Sequence, residues 1–470
     1  MAETLADLSA ETLLDLYRAG QASPVEATRA VLERIDLLND RLNAFRLVDG
    51  ERALADARRS EERWSKGEAN GLLDGVPVSV KDVFPTKGLS TLWGSKLVPP
   101  DQTWDEDAPA VARLREAGAV LIGKTNTSEF HWKTVTDSPL TGITRNPWNP
   151  VLTPGGSCGG AVVAVATGMG PLALGTDGGG SIRVPASFTG VFGLKPTFGR
   201  VPQYPAGAFG TMAHVGPIAR SVADAALLLT VIAGPDVRDA WALPYDGRDY
   251  RADLAAGVRG RRLAFSPDLG YATVDAEIAR VVADAVRVFV DLGATVEEVS
   301  PGFTDARATF ETLGFPGIAQ SLGRYSDEQK KQMDPGLVAV ADQGGRVGIM
   351  DYMAADRTRQ DMARLMNRFH QTYDLLLTPT VPIAAFAAGR DVPDPARQRR
   401  WTEWAPFSYP FNLTRQPAAS LPAGFTADGR PVGLQVVGPL YGETLVLGAA
   451  RAFEVARPFS MPAHGHPPRP

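Results

Sequence analysis

Residues 155–183 read Gly155-Gly156-Ser157-Cys158-Gly159-Gly160, then AVVAVATGMGP, then Leu172-Ala173-Leu174-Gly175-Thr176-Asp177-Gly178-Gly179-Gly180-Ser181-Ile182-Arg183. The run from Ala161 to Leu174 is apolar but short, and Gly168, Gly170 and Pro171 interrupt it. It predicts a buried helix followed by a strand, because a membrane span needs about 20 apolar residues. Each end of this unit carries a serine behind a glycine pair. Glycine lets the backbone take φ > 0 and approach a ligand closely, so that N–H groups can point at an incoming oxygen. A serine beside such a loop is a candidate nucleophile, and it needs a base.

Outward from the unit, strand and helix signals alternate. Val76, Val78 and Val80 predict a strand that delivers Lys81 at its C-terminal end. Residues 109–117 predict a helix stopped by Gly118, before the apolar strand 119–122 that leads to Lys124. Further on come the helix Val222–Ile232, the strand Arg262–Phe265, and a helical stripe of Ile278, Val281, Val282, Val286, Phe289 and Val290 that Gly293 ends. A strand over 294–299, a helix over 351–373, strands over 375–377 and 432–437 and the helix Glu443–Ala456 complete the pattern. Upstream, Ser23-Pro24-Val25-Glu26 is a capping box, and residues 51–66 predict a helix stopped by Gly67, so residues 1–70 read as a helical N-terminal part. Glycines weaken the signal from 301 to 351, and about 301–400 reads as a variable substrate-side insertion. The alternation implies one large α/β domain over residues 1–470, its sheet covered by helices on both faces.

Composition narrows the function. The 470 residues carry 48 basic and 53 acidic side chains, a net charge of −5, and so lack the basic footprint of a nucleic-acid binder. A single cysteine excludes an internal disulfide framework and fits a reducing compartment. The acidic N-terminus lacks the features of a secretory signal, so a cytoplasmic protein with no membrane role is expected.

The base must come from few candidates. Of the five histidines, His464 and His466 lie in a proline-rich tail, His370 falls on a helical pattern, His131 precedes Trp132 in a loop-like stretch, and the fifth is His214. Lys81 and Lys124 each close an apolar strand, and the residues alone leave both open, as solvated charges or as bases. An ammonium accepts no proton, so a lysine base must be neutral, which burial favours. Gly155-Gly156-Ser157-Cys158-Gly159 matches the G-x-S-x-G elbow, but Pro147, Pro150 and Pro154 stand where that motif needs a strand. Cys158 reads either as a thiol nucleophile or as a small packing residue. Asp177 and Arg183 flank the second loop and read as braces.

Several pieces in order resemble the amidase signature family: Gly75-Val76-Pro77 through Lys81-Asp82, Gly123-Lys124-Thr125-Asn126, Arg145-Asn146-Pro147-Trp148, both glycine–serine loops, Gly193-Leu194-Lys195-Pro196-Thr197, and Phe411-Asn412-Leu413-Thr414. The resemblance implies a central mixed sheet and a Ser-cisSer-Lys hydrolase of linear amides, working through an acyl-enzyme without metal or cofactor. Ser181 would be the nucleophile, Ser157 the bridging serine on a cis Gly156–Ser157 bond, and Lys81 the base. The N–H groups of Gly178, Gly179, Gly180 and Ser181 would form the oxyanion hole. Cys158 and Ala161 depart from the family's usual residues. Trp132, Tyr204 and Phe209 are expected at an apolar or aryl substrate pocket, suited to arylamides, anilides or carbamates. The expected partner is a small amide or carbamate, and a homodimer stands as an open assembly option. Two alternatives remain: the glutaminase subunit of a tRNA-dependent amidotransferase, which Gln203 to Phe209 and Arg415 do not match, and an inactive binding or structural protein.

Overall fold

The predicted capping box forms. Ser23 Oγ accepts from the Glu26 N–H, and the Glu26 carboxylate accepts from the Ser23 N–H, starting the helix Pro24–Leu42. Such a cap stabilises a helix by about 1 kcal/mol. The computed structural model describes residues 4–462. Its strands are β1 (Phe45–Val48), β2 (Pro77–Lys81), β3 (Val120–Thr125), β4 (Asp137–Ser138), β5 (Gly142–Ile143), β6 (Leu172–Asp177), β7 (Phe192–Lys195), β8 (His214–Ala219), β9 (Arg262–Phe265), β10 (Thr295–Glu298), β11 (Leu375–Pro379), β12 (Ala418–Phe425) and β13 (Pro431–Val437).

All but the β4–β5 ribbon join one mixed 11-stranded sheet, ordered β1-β3-β2-β6-β8-β7-β12-β13-β11-β9-β10. It is the core of a single large α/β domain. On one face Val80, Leu121, Leu174 and Val215 pack under the helices Val222–Ile232 and Glu443–Ala456. On the other, Val120 and Ile122 meet the helices Pro24–Leu42 and Gly50–Lys66, and Ala173 meets the helix Gly159–Ala166. With both faces covered, β2 and β3 are buried along their whole length, so the valine alternation of β2 does not mark a wet side.

One irregularity positions the site. β2 and β3 run parallel, but Val78 pairs with Leu121 and Ser79 with Gly123, so Ile122 is an extra residue. Neighbours across a ladder share a face, and a one-residue slip reverses every face beyond it. Lys124 therefore lies beside Val80, and Lys81 beside Thr125. The two lysines point to opposite sides of the sheet.

The sequence reading needs several corrections. β1 interrupts the N-terminal helices and forms one edge of the sheet. β7, β8 and β12 were not expected; β7 and β8 are buried throughout and β12 over most of its length, and none carries an apolar–polar alternation. Val290 belongs to the expected stripe yet is 51% exposed on the outer side of the helix Ala276–Asp291. The glycine-rich region is helical, with Arg307–Leu322 and Pro335–Gly344 packed together. Its glycines permit close approach: a methyl group on Gly317 would strike the Ala208 carbonyl, and one on Gly344 the Phe315 backbone. Among the described residues no helix is long and apolar enough to cross a membrane.

Candidate active site

Lys81, at the end of β2, is fully buried. Its Nζ lies 2.7 Å from Ser157 Oγ, 2.9 Å from Thr176 Oγ1 and 3.1 Å from Cys158 Sγ. Burial pushes its ammonium below the usual lysine range, against the opposing pull of Cys158 and Asp177. The Cys158 thiol gives its proton to the Thr176 carbonyl at 3.2 Å, so its sulfur accepts from Lys81. The hydroxyls of Ser157 and Thr176 have no such prior claim and can donate to a neutral amine. Thr176, on the strand that leads into the second loop, is a partner of Lys81 that sequence reasoning missed.

The Gly156–Ser157 peptide bond is cis. Ser181 stands next to this loop, since its carbonyl accepts from the Cys158 N–H at 3.1 Å. Its hydroxyl makes no hydrogen bond among the described residues. Asp177 braces the turn before it, accepting from the Gly180 N–H at 2.7 Å, from Asn412 Nδ2 at 2.9 Å and from Arg183 in a two-pronged ion pair. Burial alone would raise the Asp177 carboxyl, but the Arg183 guanidinium holds it well below the usual carboxylate range. Ser408 Oγ donates to the Gly179 carbonyl at 2.6 Å, so the Gly179–Gly180 peptide is pinned at both ends. Gly180 is therefore a correction to the expected oxyanion donors, because its N–H already serves Asp177. The N–H groups of Gly178, Gly179 and Ser181 make no hydrogen bond among the described residues.

The rivals separate cleanly. Lys124 Nζ donates to the Phe84 carbonyl at 2.5 Å, to Thr86 Oγ1 at 2.9 Å and to Thr91 Oγ1 at 3.0 Å, and it meets no serine. No strand precedes Ser157 as the elbow motif requires; the loop runs straight into the helix Gly159–Ala166. Burial raises the Cys158 thiol above its ordinary value. His214 holds the Met212 carbonyl through Nδ1 at 2.8 Å, and His370 meets the Tyr373 carbonyl at 3.0 Å. Among the described residues no histidine bonds a serine hydroxyl. His464 and His466 lie outside the described residues.

Two neighbouring cavities lie on this side of the molecule, and one of them is bordered by Thr176. A small inner one, about 60 Å³, is bounded by Thr176, Phe84, Trp93, His131 and the segment 202–207. A larger outer cleft, about 650 Å³, is walled by Trp93, Trp104, Phe130, His131 and Tyr325. Of the three aromatics expected here, Tyr204 borders the inner cavity from a rim position, 38% exposed. Phe209 covers the second loop, where a methyl group on Gly178 would meet its ring at 3.1 Å. Trp132 is a correction: it borders neither cavity but packs on Gly336, and its carbonyl accepts from Trp401 Nε1. The backbone turns at Phe130 and His131, with φ of 45° and 50°, so His131 reaches the cavities while Trp132 enters the core.

The Amidase family model matches residues 26–447. The chain is 38% identical to an acylamidase of Rhodococcus erythropolis over 460 residues, covering 96% of each. It is also 38% identical to a glutamyl-tRNA(Gln) amidotransferase chain of Myxococcus xanthus over 485 residues, covering 96% of this chain and 97% of that one. Its structure superposes on a bacterial aryl acylamidase with a TM-score of 0.89 at 31% identity, covering 96% of both chains.

Proposed function

The chain belongs to the amidase signature family, and from that premise we propose that it hydrolyses the C–N bond of small linear amides through an acyl-enzyme on Ser181. Ser181 Oγ attacks the carbonyl carbon while its proton passes to Ser157, whose own proton passes to neutral Lys81. The oxyanion meets the N–H groups of Gly178, Gly179 and Ser181; one such donor contributes about 2.7–4 kcal/mol. Collapse expels the amine, which takes its proton back from Lys81 through Ser157. Water then repeats the sequence on the ester and frees the acid.

The observation that carries this reading is the 2.7 Å contact between Lys81 Nζ and Ser157 Oγ in a corner closed to solvent. Likeness to acylamidases and the aromatic cleft favour arylamides and anilides, with aryl carbamates as the related ester class. Ile318, Leu322 and Tyr325 on the cleft wall support reading residues 301–400 as the substrate-side insertion. The single buried cysteine suits a reducing, cytoplasmic setting. Intact-mass analysis after reaction with an activated fluorophosphonate should give one adduct, mapped to Ser181. An adduct on Ser157 or Cys158 would overturn the assignment.

The likeness to the amidotransferase chain favours a second reading, a glutaminase that works within a tRNA-dependent amidotransferase. Ammonia release from glutamine, exceeding turnover of any anilide, would establish it in place of the first.

A further inference from the structure

We propose that Ser408 is a positioning residue for the oxyanion donors, a role that rests on the amidase reading and acts through the Gly179 carbonyl. Gly178, Gly179 and Gly180 follow one another directly before Ser181. Glycine backbone has little conformational preference of its own, so three in a row cannot by themselves keep N–H groups aimed at one point. Their direction must be set from outside the loop.

The segment 401–408 supplies that hold. A methyl group on Gly179 would lie 2.6 Å from the Trp401 ring and 2.8 Å from that of Phe310, and one on Gly180 would lie 2.6 Å from Ser408 Cβ. Only bare backbone fits so close. Ser408 is fully buried, and its carbonyl accepts from Arg183 Nη1 at 2.8 Å, the same guanidinium that grips Asp177. Its hydroxyl has one proton to give. The Gly179 carbonyl at 2.6 Å is the nearer of two acceptors; the other, the Ala405 carbonyl at 3.0 Å, also receives the Ser408 N–H. The Gly179 carbonyl accepts no other hydrogen bond among the described residues.

Asp177 thus holds the N–H end of the Gly179–Gly180 peptide and Ser408 its carbonyl end. The plane of that peptide sets ψ of Gly179 and φ of Gly180, and with them the angle between the Gly179 N–H on one side and the Ser181 N–H on the other. Without the Ser408 hydroxyl the buried carbonyl has no partner and the plane is fixed at one end only. The donors that flank it then lose their common aim.

Ser408→Ala removes the hydrogen bond, and Ser408→Cys keeps the shape with a weaker donor. Ser420→Ala is the control, since Ser420 is an equally buried serine whose hydroxyl pairs with Thr380 Oγ1 at 2.9 Å, away from the loop. kcat and KM on an anilide are measured beside the inhibition constants of a trifluoromethyl ketone, which forms an oxyanion on Ser181, and of its parent alcohol, which forms none. In Ser408→Ala, kcat and ketone affinity should fall together by about ten- to hundredfold, while KM and alcohol affinity stay within about twofold. Ser408→Cys should show the same split with a smaller loss, and Ser420→Ala should leave all four values within about threefold. Unchanged kcat in both Ser408 variants, or a loss that falls on KM and the alcohol as heavily as on the ketone, would overturn the positioning role alone. A folded wild-type protein that turns over no anilide and does not bind the ketone would instead overturn the amidase reading.

Discussion

Lys81 and Lys124 end neighbouring parallel strands, are equally buried, and each meets three polar atoms, yet only the surroundings of Lys81 leave room for a neutral amine. Around Lys124, the Thr86 and Thr91 hydroxyls both give their protons to the Phe84 carbonyl, at 2.9 Å each. Neither can then donate to the lysine, so all three partners of Lys124 are acceptors, and only an ammonium supplies three protons. Burial, against the pull of Asp82, leaves Lys124 at about 7, and the three acceptors around its Nζ favour the charged form. Around Lys81, two of the three partners are hydroxyls free to turn and donate. One corner fastens the segment 82–93; the other can pass a proton. Burial of a lysine is therefore no mark of a base, whereas the donor state of its neighbours is.

The comparison breaks most readily at Lys81. Lys81→Ala should lower kcat/KM by about a thousandfold or more with the fold intact. Lys81→Arg should be equally inactive, since a guanidinium keeps its proton. Steady-state kinetics on an anilide, with circular dichroism as the folding control, checks both. Lys124→Met should show the reverse: a loss of about 2–4 kcal/mol in urea denaturation, from orphaned acceptors and a less compensated Asp82. Its kcat/KM, read on the folded fraction, should fall by less than about tenfold.

The sequence carried the glycine–serine loops and the strand that ends in Lys81, because glycine pairs and valine alternation are local signals. It could not rank the two lysines by itself. The extra residue Ile122 decides which face Lys124 takes, and no residue type announces a bulge of that kind. Had β3 been regular, Lys124 would have faced the same side as Lys81. The helix Arg307–Leu322 was hidden for a similar reason: Gly314 and Gly317 read as breaks, but tertiary packing against Phe209 and Ala208 requires these small residues. The availability of Gly180 also lay beyond local reading, since it depends on where the Asp177 carboxylate turns. Asn412, seen in the sequence as one member of a matching motif, holds Asp177 from a strand connection far along the chain.

Cys158→Ser sharpens the contrast with the smallest expected effect. A hydroxyl oxygen accepts from an ammonium more strongly than sulfur does, so the substitution should stabilise charged Lys81 and raise its pKa. Activity at high pH should persist, while the acid limb of kcat/KM moves toward higher pH. An unchanged limb would mean that the 3.1 Å Lys81–Cys158 contact does not tune the base.

The most direct test of the central claim, that Lys81 and not Lys124 accepts the proton, is the pH dependence of kcat/KM in the wild type and Lys124→Met. Burial lowers the Lys81 pKa, so fewer molecules need high pH to reach the neutral form, and the rate should rise along a limb that lies below the ordinary lysine value of 10.5. The account predicts the same limb in both proteins. A limb that moves or vanishes when Lys124 is replaced, in protein that remains folded, would contradict it.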